Sequence, residues 1–174
     1  LHHCPNILKR SAAIIGSKTV AMGFLSTVTA LVLWSCYPKA VGPPGADGSS
    51  LTWPEMTMEQ RKVHMENVVL PRAAAVFRDW RPERFGKIGC SLCHGRGAAS
   101  GTFPMPADHL PRLSGQLLLG PEFSMHPDTT RLKLNRLVPT VADALGLRVF
   151  SLITRRGFGC YSCHLGPDGA MFGN

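Results

Sequence analysis

Apolar residues recur at helical intervals in two separated stretches of the chain. In the first, Thr57-Met58-Glu59-Gln60 has the spacing of a capping box, and Met58, Met65 and Val69 follow on roughly one face. Pro71 then kinks that helix or begins another, whose Ala73, Val76, Phe77 and Trp80 stand at i, i+3, i+4 and i+7. In the second stretch Pro139 takes a first helical position, Val141, Ala144 and Leu145 face inward, and Gly146 interrupts. Residues 147–153, "LRVFSLI", are expected to resume as helix. Between the two stretches, residues 95–130 hold Pro104, Pro106, Pro111, Pro121 and Pro127 with several glycines, which predicts mostly loop. The pattern predicts a mainly α, small and loop-rich fold.

The two stretches also correspond to each other. Asn67 stands four residues before Pro71 and Asn135 four before Pro139, with apolar residues in the gap. Pro71 is followed after 19 residues by Cys90, and Pro139 after 21 by Cys160. A period of 68 to 70 residues is consistent with duplication of one unit.

Upstream, the picture changes. Lys9, Arg10 and Lys18 precede an uncharged run at 20–33, "VAMGFLSTVTALVL", which suits the apolar region of an export signal and is short for a membrane span. Leu33-Trp34-Ser35-Cys36 resembles a bacterial lipobox, which implies that Cys36 becomes the lipidated end of the mature protein. Residues 36–54 are rich in Pro, Gly and Ser and read as a flexible tether. The expected organisation is a lipoprotein-type signal at 1–35, a tether at 36–54 and a folded domain at 55–174, with units at about 55–130 and 131–174.

Six cysteines sharpen the chemistry. With Cys4 in the signal and Cys36 lipidated, the other four fall into Cys90-Ser-Leu-Cys93-His94 and Cys160-Tyr-Ser-Cys163-His164. None is left for a disulfide framework. Both motifs read C-x-x-C-H, the attachment pattern of c-type haem: two thiols reach the two vinyl groups, and the adjacent imidazole of His94 or His164 reaches the iron as proximal ligand. Two Cys-x-x-Cys pairs can also make a Cys4 zinc site, but zinc does not call for His after both pairs. A disulfide-exchange motif would sit on a βαβ pattern, which this chain lacks.

On these motifs the chain resembles bacterial dihaem c-type cytochromes, and with Cys36 a lipid-anchored one. It differs from two class I cytochrome c domains in series, because the second motif stands at the end of its unit. In having the helix first it is more similar to class II bundles and to the multihaem subunit of photosynthetic reaction centres. The latter carry a ligand Met where this chain has Phe77 and Leu147. The resemblance implies two c-type haems, electron transfer, a periplasmic location at a membrane, and redox partner proteins. Alternatives are a haem enzyme or sensor with one open iron position, and a haem subunit of a larger respiratory or photosynthetic complex. The chain offers no convincing distal acid–base pair, which favours a carrier over an enzyme.

For the sixth position of the first haem, Met105 in "FPMPADHL" is the preferred residue, since a Met held between prolines resembles the Met-Pro ligand loops of many cytochromes c. His64, Met65, Met125 and His126 compete for either iron; His109 reads as a solvated surface residue, and Met171 would have to fold back around the macrocycle edge. The net charge is +8, of which the basic residues in the first 18 positions supply three. The remainder is spread without the runs that mark nucleic-acid arms. Arg72, Arg78, Arg81, Arg84, Arg155 and Arg156 could pair with haem propionates or steer an acidic partner.

Overall fold

Residues 38 and onward form one unit, Pro38–Asn174, separate from Leu1–Tyr37. A computed structural model describes residues 37–172. The apolar run at 20–33 and the lipidation site Cys36 lie outside the described residues. Among the described residues, helices dominate and the sheet has two strands. No helix among them is long and apolar enough to cross a membrane.

The stretch expected to be a tether is folded over most of its length. β1 (Ala40–Pro44) pairs antiparallel with β2 (Ser50–Thr52), Ala40 opposite Thr52 and Pro44 opposite Ser50. Asp47 holds the turn by accepting from the N–H and the hydroxyl of Ser49 at 3.0 and 2.6 Å. Lys39 N–H donates to the Gly146 carbonyl at 2.7 Å, which joins the hairpin to the helical body. A composition of Pro, Gly and Ser carries no alternation, so these strands leave no periodic signal in the sequence.

The predicted capping box forms. Thr57 Oγ1 accepts from Gln60 N–H, and Gln60 Oε1 accepts from Thr57 N–H, at 3.3 and 2.9 Å. They open α1 (Met58–His64), which runs into a π turn (Met65–Val69) and then α2 (Leu70–Trp80). The second stretch has the same form: α7 (Pro127–Leu132), a π turn (Lys133–Leu137) and α8 (Val138–Ala144). Four short α-helices lie between, α3 (Pro82–Phe85), α4 (Ser91–His94), α5 (Arg96–Ser100) and α6 (Pro121–Met125), with a 3-10 turn at Leu117–Leu119.

Proline explains both wide turns. In an α-turn the ring of Pro71 would press on the carbonyl of Asn67, and Pro139 on that of Asn135. One extra residue relieves the clash. The N–H of Leu70 then bonds the carbonyl of Met65, five residues back, and that of Val138 bonds Lys133 in the same way. The corresponding Asn and Pro positions thus mark one structural device used twice.

Helices α2 and α8 run antiparallel. Arg72 pairs with Asp143 at 3.3 Å and, seven residues along α2, Asp79 pairs with Arg136 at 2.8 Å, seven residues back in the second stretch. The two helices are in contact, and between the pairs Ala73 and Ala74 on α2 and Ala142 on α8 are small and buried. The core cluster gathers Val69, Ala142, Ala144, Leu145 and Phe158, with Met65, Val68, Val138, Val141 and Cys163 packed against it.

Helix does not resume at 147–153. Gly146 has φ +66, and the N–H of Leu147 turns back to the Ala142 carbonyl at 2.8 Å, which ends α8 with a left-handed residue. Thereafter Phe150 N–H donates to Phe158, and Ser151 N–H to Arg156, at 2.8 and 3.0 Å. The β-branched and aromatic residues of "LRVFSLI" therefore form an open turn with isolated bridges.

Candidate functional site

Each C-x-x-C-H segment makes one tight turn that ends on its histidine. In the first, the N–H of His94 bonds the Cys90 carbonyl at 2.9 Å; in the second, the N–H of His164 bonds the Cys160 carbonyl at 2.9 Å. The turn gathers two thiols and an imidazole into each set. All four cysteines are free thiols, partly buried, and both imidazoles are buried at 8% exposure.

The loop after α5 lies along the second motif. Ala107 N–H donates to the Cys163 carbonyl and Leu113 N–H to that of Leu165, each at 2.9 Å. Arg112 Nη1 donates to Gly166 at 2.9 Å. This places the Pro111 carbonyl where it accepts from Nδ1 of His164 at 2.8 Å. An Nδ1–H bound in this way fixes the tautomer and leaves the Nε2 lone pair for a metal. Nδ1 of His94 is buried without a hydrogen bond of good geometry, although the Pro104 carbonyl lies near enough to favour its protonated form. Phe103 meets the His94 ring edge to face at 5.4 Å. Thus one loop presents a proline carbonyl to each imidazole.

Burial sets the electrostatics. It lowers the pKa of both His94 and His164, so both favour the neutral, ligating form; the proline carbonyls oppose that effect, and His109 adds to it. Burial pushes the Cys163 thiol up to about 12, with Cys93 and then Cys160 adding to the rise and Lys133 opposing it. Burial also raises Cys93, with Cys90 adding and Lys133 opposing, and raises Cys160 against the pull of Lys133. The influence of Cys93 on Cys163 means that the two motifs adjoin, with Lys133 near both. Among the described residues, no group of three or more His, Cys, Asp or Glu is gathered closely enough to hold a bare metal ion.

The residues considered for a sixth iron position scatter. Met105 is 38% exposed, on the loop whose Pro104 and Pro111 carbonyls meet the imidazoles. Met125 and His126 are exposed where α6 gives way to α7. His64 is buried, but its Nε2 donates to the Ala144 carbonyl at 2.8 Å, so it closes the end of α8. Met65 opens the first π turn and packs on the core. His109 is exposed and lies over Gly95, and Met171 folds back onto Gly166.

The sequence reading missed Lys133 and both proline carbonyls. A lysine in a helical stretch reads as surface, and a backbone acceptor has no signature in residue type; only the repeat, which puts Lys133 opposite Met65, could have drawn attention to it.

Beside the second motif an apolar cleft of about 180 Å³ is lined by Cys160, Tyr161, Leu134, Val138, Phe150 and Phe172. The donor set of each motif, two thiols and an imidazole, suits thioether attachment with an axial nitrogen, and the cleft gives Cys160 an apolar wall that neither Cys163 nor an imidazole lines. No protein-family model matches the chain, and neither a curated protein nor a solved structure matches it.

Proposed function

We propose that the protein carries electrons as a dihaem c-type cytochrome, anchored through lipid at Cys36 to the periplasmic side of a membrane. The observation that carries the reading is the buried His164, whose Nδ1 donates to Pro111 while its Nε2 remains available, beside two free thiols at the required spacing. Cys90 and Cys93 would hold one haem and Cys160 and Cys163 the other, with His94 and His164 as proximal ligands. A bound haem supplies one-electron redox chemistry.

The chain's part is to hold, orient and shield. Turns that end on His94 and His164 bring each imidazole and its own pair of thiols onto one short segment. Burial keeps both imidazoles neutral and so able to ligate. Adjacency of Cys93 and Cys163 brings the two attachment points together, which supports exchange of electrons within the molecule. Arg155 and Arg156 are exposed and make no ion pair among the described residues, which supports an acidic redox partner.

A pyridine haemochrome assay with intact mass on periplasmically matured protein tests the reading. Two covalent haems are expected. None, with zinc bound instead, would replace this function with a structural zinc site. Two haems of which one is high-spin in the native protein and binds carbon monoxide rapidly would replace the carrier by an enzyme or sensor.

A further inference from the structure

Ile153 and Leu119 are the most exposed large apolar side chains among the described residues, at 95% and 88%. Leu119 ends the 3-10 turn Leu117–Leu119, and Ile153 stands in the turn at 152–155. Leu117 and Leu152 line the same apolar cleft, so the two segments border one another. Neither Leu119 nor Ile153 lines that cleft; a group filling it meets Val149 and Leu152 instead. Their exposure is therefore not that of a cofactor wall.

The turn holds Ile153 out. Ser151 N–H donates to the Arg156 carbonyl at 3.0 Å, which closes the loop at its base. Within it Arg155 N–H donates to the Ser151 carbonyl at 2.8 Å and Thr154 N–H to Ser151 Oγ at 3.3 Å, so these backbone donors are satisfied without water. Directly behind Ile153 come Arg155 and Arg156, both exposed and outside the ion pairs among the described residues. The chain carries no acidic residue between Asp143 and Asp168. Glu122, three residues after Leu119, is engaged by the N–H and hydroxyl of Ser114.

Charge alone suits an acidic protein as well as an acidic bilayer. The aliphatic residues decide between them. A projecting isoleucine needs a matching pocket on a protein, whereas fluid hydrocarbon closes around any small apolar projection. A turn whose N–H groups are already bonded enters the bilayer boundary without leaving those donors unpaired. Arginines at its base keep their apolar stems near the acyl boundary and their guanidinium groups on phosphate.

We propose that residues 152–156, together with Leu119, form a contact for an anionic phospholipid bilayer, with Ile153 and Leu119 in the acyl boundary and Arg155 and Arg156 on the phosphates. The contact rests on the membrane location in the proposed function and is independent of the haems. A lipid at Cys36 keeps the chain near a bilayer without orienting it. The loop contact is small, reversible and salt-sensitive, so it orients and does not anchor. Because Leu152 and Cys160 line one cleft, it brings the second motif to the membrane surface.

The test removes the anchor and keeps the rest of the chain. Full-length, periplasmically matured Cys36→Ser protein is sedimented with phosphatidylcholine vesicles, with and without phosphatidylglycerol, at low and high salt. Binding is expected only with phosphatidylglycerol and should be lost at high salt. In that background Ile153→Ser should weaken binding about tenfold. Arg155→Glu with Arg156→Glu should weaken it at least about tenfold. Lys62→Glu with Arg78→Glu, the same charge change at two exposed residues elsewhere, should retain most of it. Ile153→Trp should bind about threefold tighter, a gain that misfolding does not mimic, with circular dichroism matched across the set. No binding to the anionic vesicles, binding unchanged by Ile153→Ser, or an equal loss in the control pair would overturn the contact. If wild type meanwhile stays in the membrane pellet, the anchor stands and the arginines return to an acidic protein partner. Vesicle binding with wild type found soluble would overturn the anchor and leave the contact standing.

Discussion

Gly95 follows the first motif's histidine with φ +53 and ψ −133, a conformation that side chains resist. A Cβ there would lie 2.5 Å from Nδ1 of His109. Gly101, by contrast, has φ +73 with open space around it. Gly95→Ala should therefore cost about 3 kcal/mol in urea unfolding, strain and collision together, and Gly101→Ala about 1 kcal/mol from strain alone. Glu122 supplies a pH prediction. Partial burial pushes its carboxyl up, but the N–H and hydroxyl of Ser114, at 2.8 and 3.0 Å, hold it below the ordinary value on balance. A carboxyl lowered in the folded state stabilises above its unfolded pKa and loses that contribution as pH falls through the folded one. The stability of wild type should thus fall more steeply between about pH 5 and pH 3 than that of Glu122→Gln, read by urea unfolding at each pH. At this scale the sequence was legible where residue type is the chemistry: Cys-x-x-Cys-His announces itself. It was opaque where a backbone group does the work. Pro111 holds His164 through a carbonyl, and His64, which read as a rival ligand, serves as the cap of α8.

Helices α2 and α8 were legible because proline starts them and apolar residues repeat at helical spacing; Ala73, Val76, Ala144 and Leu145 are buried as expected. The π turns were not, since a widened turn shifts the register by one residue and leaves periodicity almost intact. Nor was the turn at 147–153, where helix and strand preferences compete and the left-handed Gly146 decides. The crossing of α2 and α8 depends on small residues. Ala142 is fully buried, so Ala142→Leu should destabilise by about 1–3 kcal/mol through overpacking, read by thermal or urea unfolding. Asp79 and Arg136 are half-exposed, so Asp79→Ala should cost less than about 1 kcal/mol, shrinking further in high salt. Shape, more than charge, holds the pair together.

For the whole molecule, the proposed anchor makes location separable from cofactor content. Cys36→Ser should move the protein from the membrane pellet to the soluble periplasmic fraction with haem content unchanged; loss of haem in that variant would show that anchoring and maturation are linked. The mainly α character was legible from the two periodic stretches, whereas the folded hairpin at 40–52 was not, because its stability comes partly from Lys39 meeting Gly146 far along the chain. The antiparallel crossing has one more implication. Its two members begin at corresponding prolines, Pro71 and Pro139, and each follows a π turn at the same register, so the packed pair is made of two like elements. An antiparallel contact between like helices is the kind through which two identical chains form a twofold dimer. Joining the copies in tandem turns that bimolecular encounter into an intramolecular one, independent of concentration. It also frees each copy to change alone, and the divergence of Met65 from Lys133 is what that freedom permits.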